Sequence, residues 1–116
     1  MKARYVPQRG DLIWLDFTPQ SGHEQAGRRP ALVLSPRAYN SKTLLMLCCP
    51  ITSRVKGYPF EVLVDSTTIH GVVLADQIKS VDWATRHADY AGKAPPEVSQ
   101  EVLDKALTLL GYELPG

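Results

Sequence analysis

Short apolar runs built from strand-forming residues, each closed by Pro, Gly or a polar cluster, recur along most of the chain, and a single helical repeat follows them. That pattern constrains the fold more than any other feature. Runs this short are strand-sized rather than helix-sized, and their β-branched and aromatic content favours a pleated surface. Asp11–Phe17 predicts a first strand, with Ile13, Leu15 and Phe17 on one face and Leu12, Trp14 and Asp16 on the other. Ala31–Ser35 reads as a buried strand. Ser35 and Pro36 then resemble an N-cap and first helical position, predicting a single turn over Pro36–Asn40. Thr43–Cys49 is a further core strand expected to stop at Pro50. Phe60–Val64 and Val72–Val81 follow as strands, the latter interrupted by Asp76 and Gln77, and Trp83–Tyr90 is assigned a last short one.

Only Pro96–Leu110 has helical spacing. Val98, Val102, Ala106 and Leu109 form a stripe that Leu103, Leu107 and Leu110 widen, with Pro95 and Pro96 at its start and Gly111 at its end. Glu97 suits the positive end of the helix, and Glu101 and Lys105 form an i,i+4 pair. Strands followed by one helix predict a mainly β chain, a small antiparallel barrel capped by a C-terminal helix. Its 116 residues, 44% hydrophobic and 22% charged, suit one soluble domain. No apolar stretch approaches a membrane span, and the basic N-terminus has no signal-like apolar region behind it, so a cytoplasmic location is expected. Cys48 and Cys49 are adjacent in a strand and point to opposite faces, a poor geometry for a mutual disulfide. With His23, His70 and His87 scattered, no zinc spacing exists, and neither metal nor cofactor is expected.

Chemistry concentrates in Gly22–Pro30, which carries His23, Glu24, Gln25, Arg28 and Arg29 between two glycines and a proline. Pro30 biases Arg29 towards extended geometry, mounting it at the entrance of the next strand. Read alone, such a stretch is equally a solvated connection. Arg28, Arg29, Arg37, Lys42, Arg54 and Lys56 lie in one span without an acidic residue, a candidate anion-facing surface or else charges spread around the fold. Ile51–Gly57 is a second polar, basic loop. Asp76, inside an apolar run, is either solvent-facing or partnered.

Four segments together resemble the MazF/PemK (Kid) family of toxin endoribonucleases: Arg9–Trp14, Gly22–Pro36, Pro50–Ser53 and Gly71–Gln77. The likeness runs from about Tyr5 to Val81, with a compatible helix beyond. It implies an SH3-like barrel of the CcdB/MazF/Kid type, a homodimer, metal-independent and sequence-specific cleavage of single-stranded mRNA, and inhibition by a cognate antitoxin. Cleavage of this kind uses the neighbouring 2′-hydroxyl, leaving a 2′,3′-cyclic phosphate and a 5′-hydroxyl.

The resemblance assigns catalysis to Arg29 and Thr52, as in the MazF branch. A guanidinium keeps its proton at neutral pH, so Arg29 is read as a stabiliser of the phosphorane rather than the base. The base is then Glu24, Asp76 or His23; the PemK/Kid branch implicates positions matching His23 and Asp76. Leu74 departs from that branch, which has an arginine there. Arg28, Gln25, Ser53, Arg54, Lys56 and Gln77 are expected to contact RNA, and Trp14, first a packing residue, is placed to stack on a base. His70 and His87 are claimed by no motif and are read as structural or solvated. Two alternatives share the same barrel: a CcdB-like poison of a protein target such as gyrase, and a non-catalytic RNA-binding module.

Overall fold

The computed structural model describes residues 4–16 and 27–112. Among the described residues, seven strands and two helices form a curved antiparallel half-barrel: β1 (Asp11–Asp16), β2 (Arg28–Val33), α1 (Arg37–Thr43), β3 (Leu45–Thr52), β4 (Glu61–Asp65), β5 (His70–Leu74), β6 (Lys79–Asp82), β7 (Asp89–Lys93) and α2 (Pro96–Leu109). The strand order is β4-β5-β3-β2-β1-β7, with β6 pairing the first half of β3. This is the barrel-type sheet with a C-terminal helix that the pattern of runs predicts.

Alternation along β1 separates two cores. Leu12 packs with Leu32, Cys49, Ile51, Val62, Val64 and Val73, beneath Val102 of α2. Ile13 and Leu15 pack with Ala31, Val33, Met46, Cys48, Val81 and Trp83. Because both faces are covered, β1 and residues 31–33 of β2 read as nearly continuous apolar runs, whereas β3 keeps Leu45 and Leu47 exposed on one side. Cys48 and Cys49 fall into different cores and are free thiols, as their alternation requires. Burial pushes each thiol up to about 12.

Buried polar groups tie the strands to the chain's beginning. Asp11, 3% exposed, accepts hydrogen bonds from Tyr5 Oη at 2.6 Å and Gln8 N at 3.0 Å, and its second oxygen meets Lys93 Nζ at 2.6 Å. Burial and the Asp11 bond raise the Tyr5 phenol far above its ordinary value. Arg9 Nε donates to Leu34 O at 2.6 Å. Arg9 and Asp11 are therefore scaffold.

Several boundaries differ from the sequence reading. Strand β2 begins at Arg28, three residues early, which places both arginines on the strand. Strand β3 does not stop at Pro50 but continues to Thr52. Its edge pairs with β6 through Cys48 and with β5 from Ile51, so Pro50, lacking an N–H, lies where the strand changes partner. Ser35 does not cap α1, whose N-cap Pro36 has no side-chain cap bond. Ser35 Oγ instead donates to Asn40 Oδ1 and accepts from Leu47 N, while buried Asn40 donates to Pro7 O. The helix also runs to Thr43, beyond a single turn. Val72–Val81 is two strands with a turn at Ala75–Asp76. The last strand is Asp89–Lys93, not Trp83–Tyr90, since residues 83–87 turn and His87 has φ 54°. Helix α2 matches its predicted start and ends one residue early. Among the described residues no helix is long and apolar enough to cross a membrane.

Candidate RNA-cleaving groove

Three adjoining concavities meet at the end of β3. The first, about 660 Å³, is lined by Arg29, Ile51, Thr52, Leu74, Gln77, Lys79 and Arg86 among others. The second, about 560 Å³, is lined by Trp14, Arg28, Arg29, Thr52, Ser53, Thr68 and His70 among others. The third, about 160 Å³, lies between Thr52, Arg54, Lys56, Tyr58, Glu61, Leu74 and Gln77. Thr52 borders all three and Arg29 borders two, so the pair singled out by the resemblance lies where these basic concavities adjoin.

The sheet sets this pair. Arg29 is opposite Leu15 in the β1–β2 register, and Thr52 is opposite Val72 across β3–β5. Thr52 Oγ1 accepts the Arg54 N–H at 3.1 Å, and a hydroxyl accepting there still has its own proton to donate. Among the described residues no acceptor holds the Arg29 guanidinium, and its side chain is exposed.

Arg28 behaves differently. Its Nη1 donates to Asp16 Oδ1 at 3.0 Å, and its Nη2 donates to Asp89 Oδ2 at 2.9 Å, Trp14 O at 3.2 Å and His87 O. Neighbouring arginines on one strand thus diverge, one fastened to carboxylates and carbonyls, the other facing the groove. The expected phosphate grip of Arg28 meets a guanidinium already engaged by four acceptors. His87 also donates to Asp16, and that bond, with Arg28 beside it, holds the Asp16 carboxyl below its usual value.

Of the other predicted residues, Ser53, Arg54, Lys56, Gln77 and Trp14 line these concavities, Trp14 while also packing on the core. The Glu61 carboxylate accepts the Lys56 and Gly57 N–H groups at 2.9 and 2.8 Å, which shapes the loop carrying Arg54 and Lys56. Asp76 is partnered rather than bare: Tyr58 Oη donates to its Oδ1 at 2.7 Å, a bond that raises the phenol above its ordinary value. Asp76 itself is not among the residues lining the three concavities. His23, Glu24 and Gln25 lie outside the described residues. Arg37 and Lys42 are on α1 and line none of the three concavities, so the basic span divides between the groove and that helix.

The structure adds Lys79, Arg86, Tyr58 and His70 to the groove or its wall. Arg86 Nη1 donates to Asp16 O at 3.1 Å. Lys79 and Arg86 fall beyond the acid-free span, and only the β3–β6 pairing brings Lys79 beside Cys48. Among the described residues no cluster of three or more His, Cys, Asp or Glu side chains is arranged to hold a metal ion.

Comparison with known proteins shows the family of the chain. Residues 8–110 match the model of the PemK-like, MazF-like toxin of type II toxin–antitoxin systems. The chain is 52% identical over 111 residues to the endoribonuclease toxin MazF of Escherichia coli K12, covering 96% of this chain and 100% of that one. It is 35% identical over 122 residues to the E. coli endoribonuclease PemK, covering 95% and 90%. Among solved structures, a MazE–MazF crystal form from Deinococcus radiodurans superposes with a TM-score of 0.85 at 50% identity, covering 95% and 100% of the two chains. MazF from the same organism gives 0.84 at 58% identity, covering 93% and 99%. The match extends past Val81 through α2, and the chain belongs to the PemK-like, MazF-like toxin family of type II toxin–antitoxin systems.

Proposed function

We propose that this protein is a toxin endoribonuclease that cleaves single-stranded RNA at selected sequences without a metal ion and is neutralised by a cognate antitoxin. The observation that carries the reading is the shared position of Arg29 and Thr52 where the basic concavities adjoin. In-line attack of a 2′-oxygen on phosphorus builds negative charge on the non-bridging oxygens. A guanidinium fork and a hydroxyl aimed at those oxygens stabilise that charge more in the transition state than in the ground state. The 2′-hydroxyl loses its proton, the new O–P bond closes the cyclic phosphate, and the 5′-oxygen leaves with a proton.

Asp76, off the groove and bonded to Tyr58, is poorly placed to take the first proton. That role belongs to the segment preceding β2, to His23 or Glu24, with imidazole titrating nearest neutrality. Arg28 acts as a brace: fastened to Asp16 and Asp89, it fixes the start of β2 and so the mount of Arg29. Ser53, Arg54, Lys56 and Gln77 carry the RNA strand away from the reacting phosphate. The MazE–MazF assemblies among the structural relatives support antitoxin control here. An apolar face formed by Leu34, Tyr39, Leu47, Ile78, Leu103, Leu107 and Leu110 supports the homodimer. We place the protein in the cytoplasm, with its mRNA substrate.

The test incubates pure protein with a long RNA in EDTA and maps the cut ends. Discrete cuts bearing 2′,3′-cyclic phosphate and 5′-hydroxyl ends are expected. Binding without cleavage would leave a non-catalytic RNA-binding module, and activity lost in EDTA would remove the metal-free mechanism.

A further inference from the structure

His70 is a residue without an assigned task in a position that invites one. It opens β5 directly opposite Asp65, the last residue of β4, and its Nδ1 is bonded to Asp65 Oδ1. The two imidazole nitrogens lie on different sides of the ring, so a carboxylate on Nδ1 leaves Nε2 as the nitrogen that can meet a ligand. The side chain is 67% exposed and lines the same concavity as Arg29, Thr52, Ser53 and Trp14.

Its mount is fixed. The next residue, Gly71, presses on the Thr52 backbone so closely that a Cβ there would sit 2.4 Å from Thr52 O, which registers His70 against Thr52. The connecting loop is held as well. Ser66 Oγ accepts the Thr68 and Ile69 N–H groups, and Thr68 Oγ1 donates to Ala91 O at 2.6 Å. Among the described residues, the charged groups around the ring are Asp65 beside it and the guanidiniums of Arg28 and Arg29 across the concavity, the former bound to Asp16 and Asp89. Among the described residues no carboxylate lines the concavity itself.

We infer that His70, its ring held by Asp65, is a further RNA-contacting residue of the Arg29–Thr52 concavity, donating Nε2–H to a backbone phosphate of the substrate when protonated. The inference rests on the endoribonuclease reading of that site. With Asp65 on the far side of the ring, the phosphate meets the N–H and not the carboxylate. With Nδ1–H given to Asp65, the contact needs a proton on Nε2 as well, so it belongs to the imidazolium form of the ring.

The test first maps the cut sites in a long RNA, then measures binding of a 2′-O-methyl oligonucleotide spanning one of them, which cannot be cleaved. Wild type, His70→Gln and His23→Gln are compared at acid and alkaline pH. The wild type is expected to bind more tightly at the acid value than at the alkaline one, since acid favours the imidazolium form. His70→Gln should remove about fivefold of affinity at the acid value, the scale of one exposed charge pair, and little at the alkaline one. The salt slope at acid pH should fall by about 0.7, one phosphate contact on a single strand. An unchanged melting temperature checks that the exposed substitution leaves the fold intact. Equal pH dependence in wild type and His70→Gln, or a dependence that disappears only in His23→Gln, overturns the inference and leaves the endoribonuclease reading standing. Absence of any cut in the mapping step overturns both.

Discussion

Gly71→Ala joins the fold to the groove in one perturbation. At φ +155° the backbone of Gly71 lies where side chains are rarely found, and a Cβ would fall 2.4 Å from Thr52 O and 3.0 Å from Thr52 C. These are backbone atoms of β3, held by its pairing with β5, so neither strand can retreat without losing ladder bonds. Steric overlap in a packed sheet and backbone strain together cost about 3 kcal/mol. For a chain of this size that lowers the melting temperature by about 12 °C. Gly57→Ala is the internal control: its φ is +83° but nothing lies within 4 Å of its Cβ position, which leaves backbone strain of about 1 kcal/mol. Because the overlap falls on Thr52, Gly71→Ala should also slow RNA cleavage by about 10²-fold, whereas Gly57→Ala should not. Urea denaturation and single-turnover cleavage read the two effects. Equal destabilisation by the two substitutions would refute the close-packing argument.

Asp11→Ala removes a buried carboxylate and leaves the part-buried Tyr5 hydroxyl without its acceptor, while the half-exposed Lys93 turns to water, so urea denaturation should register a loss of about 2 kcal/mol. The Cys48 and Cys49 thiols, raised by burial, should resist a thiol reagent at about pH 8 in the native protein and react fully only on unfolding. Asp16 has a folded pKa held below its ordinary 3.8, first by the His87 hydrogen bond and then by Arg28. Its contribution to stability is therefore present above about pH 4 and lost as pH falls through the depressed value. Asp16→Asn should reduce stability near neutrality, with the gap to wild type closing in acid; a gap constant with pH would contradict the assignment.

Punctuation made α2 legible: two prolines and a glycine frame a stripe of regular spacing, and local rules suffice. The central strands were visible as apolar runs because most of their side chains are buried, but an apolar run does not mark where a strand ends. Pro50 illustrates this, since a proline is tolerated inside β3 only because the strand changes partner there, a fact of pairing that composition does not carry. Asp76 and Gln77 signalled an interruption correctly, yet whether it was a bulge or a turn depended on β6 leaving β5 to pair with β3. The groove was legible through its motif residues and opaque where it depends on tertiary approach. Arg28 and Arg29 are chemically identical neighbours, and what distinguishes them is the presence of Asp16 and Asp89 near one. Lys79, Arg86 and His70 belong to no motif; strand pairing and loop placement bring them to the groove.

Single-turnover cleavage of a mapped RNA site by Arg29→Ala, set beside its binding of the matching 2′-O-methyl oligonucleotide, tests the central claim most directly. Loss of a donor that acts chiefly in the transition state predicts a rate lower by about 10³-fold, with affinity reduced less than about tenfold. A rate within a few-fold of wild type, or a loss accounted for wholly by weaker binding, would contradict the assignment of Arg29 to the chemistry of cleavage.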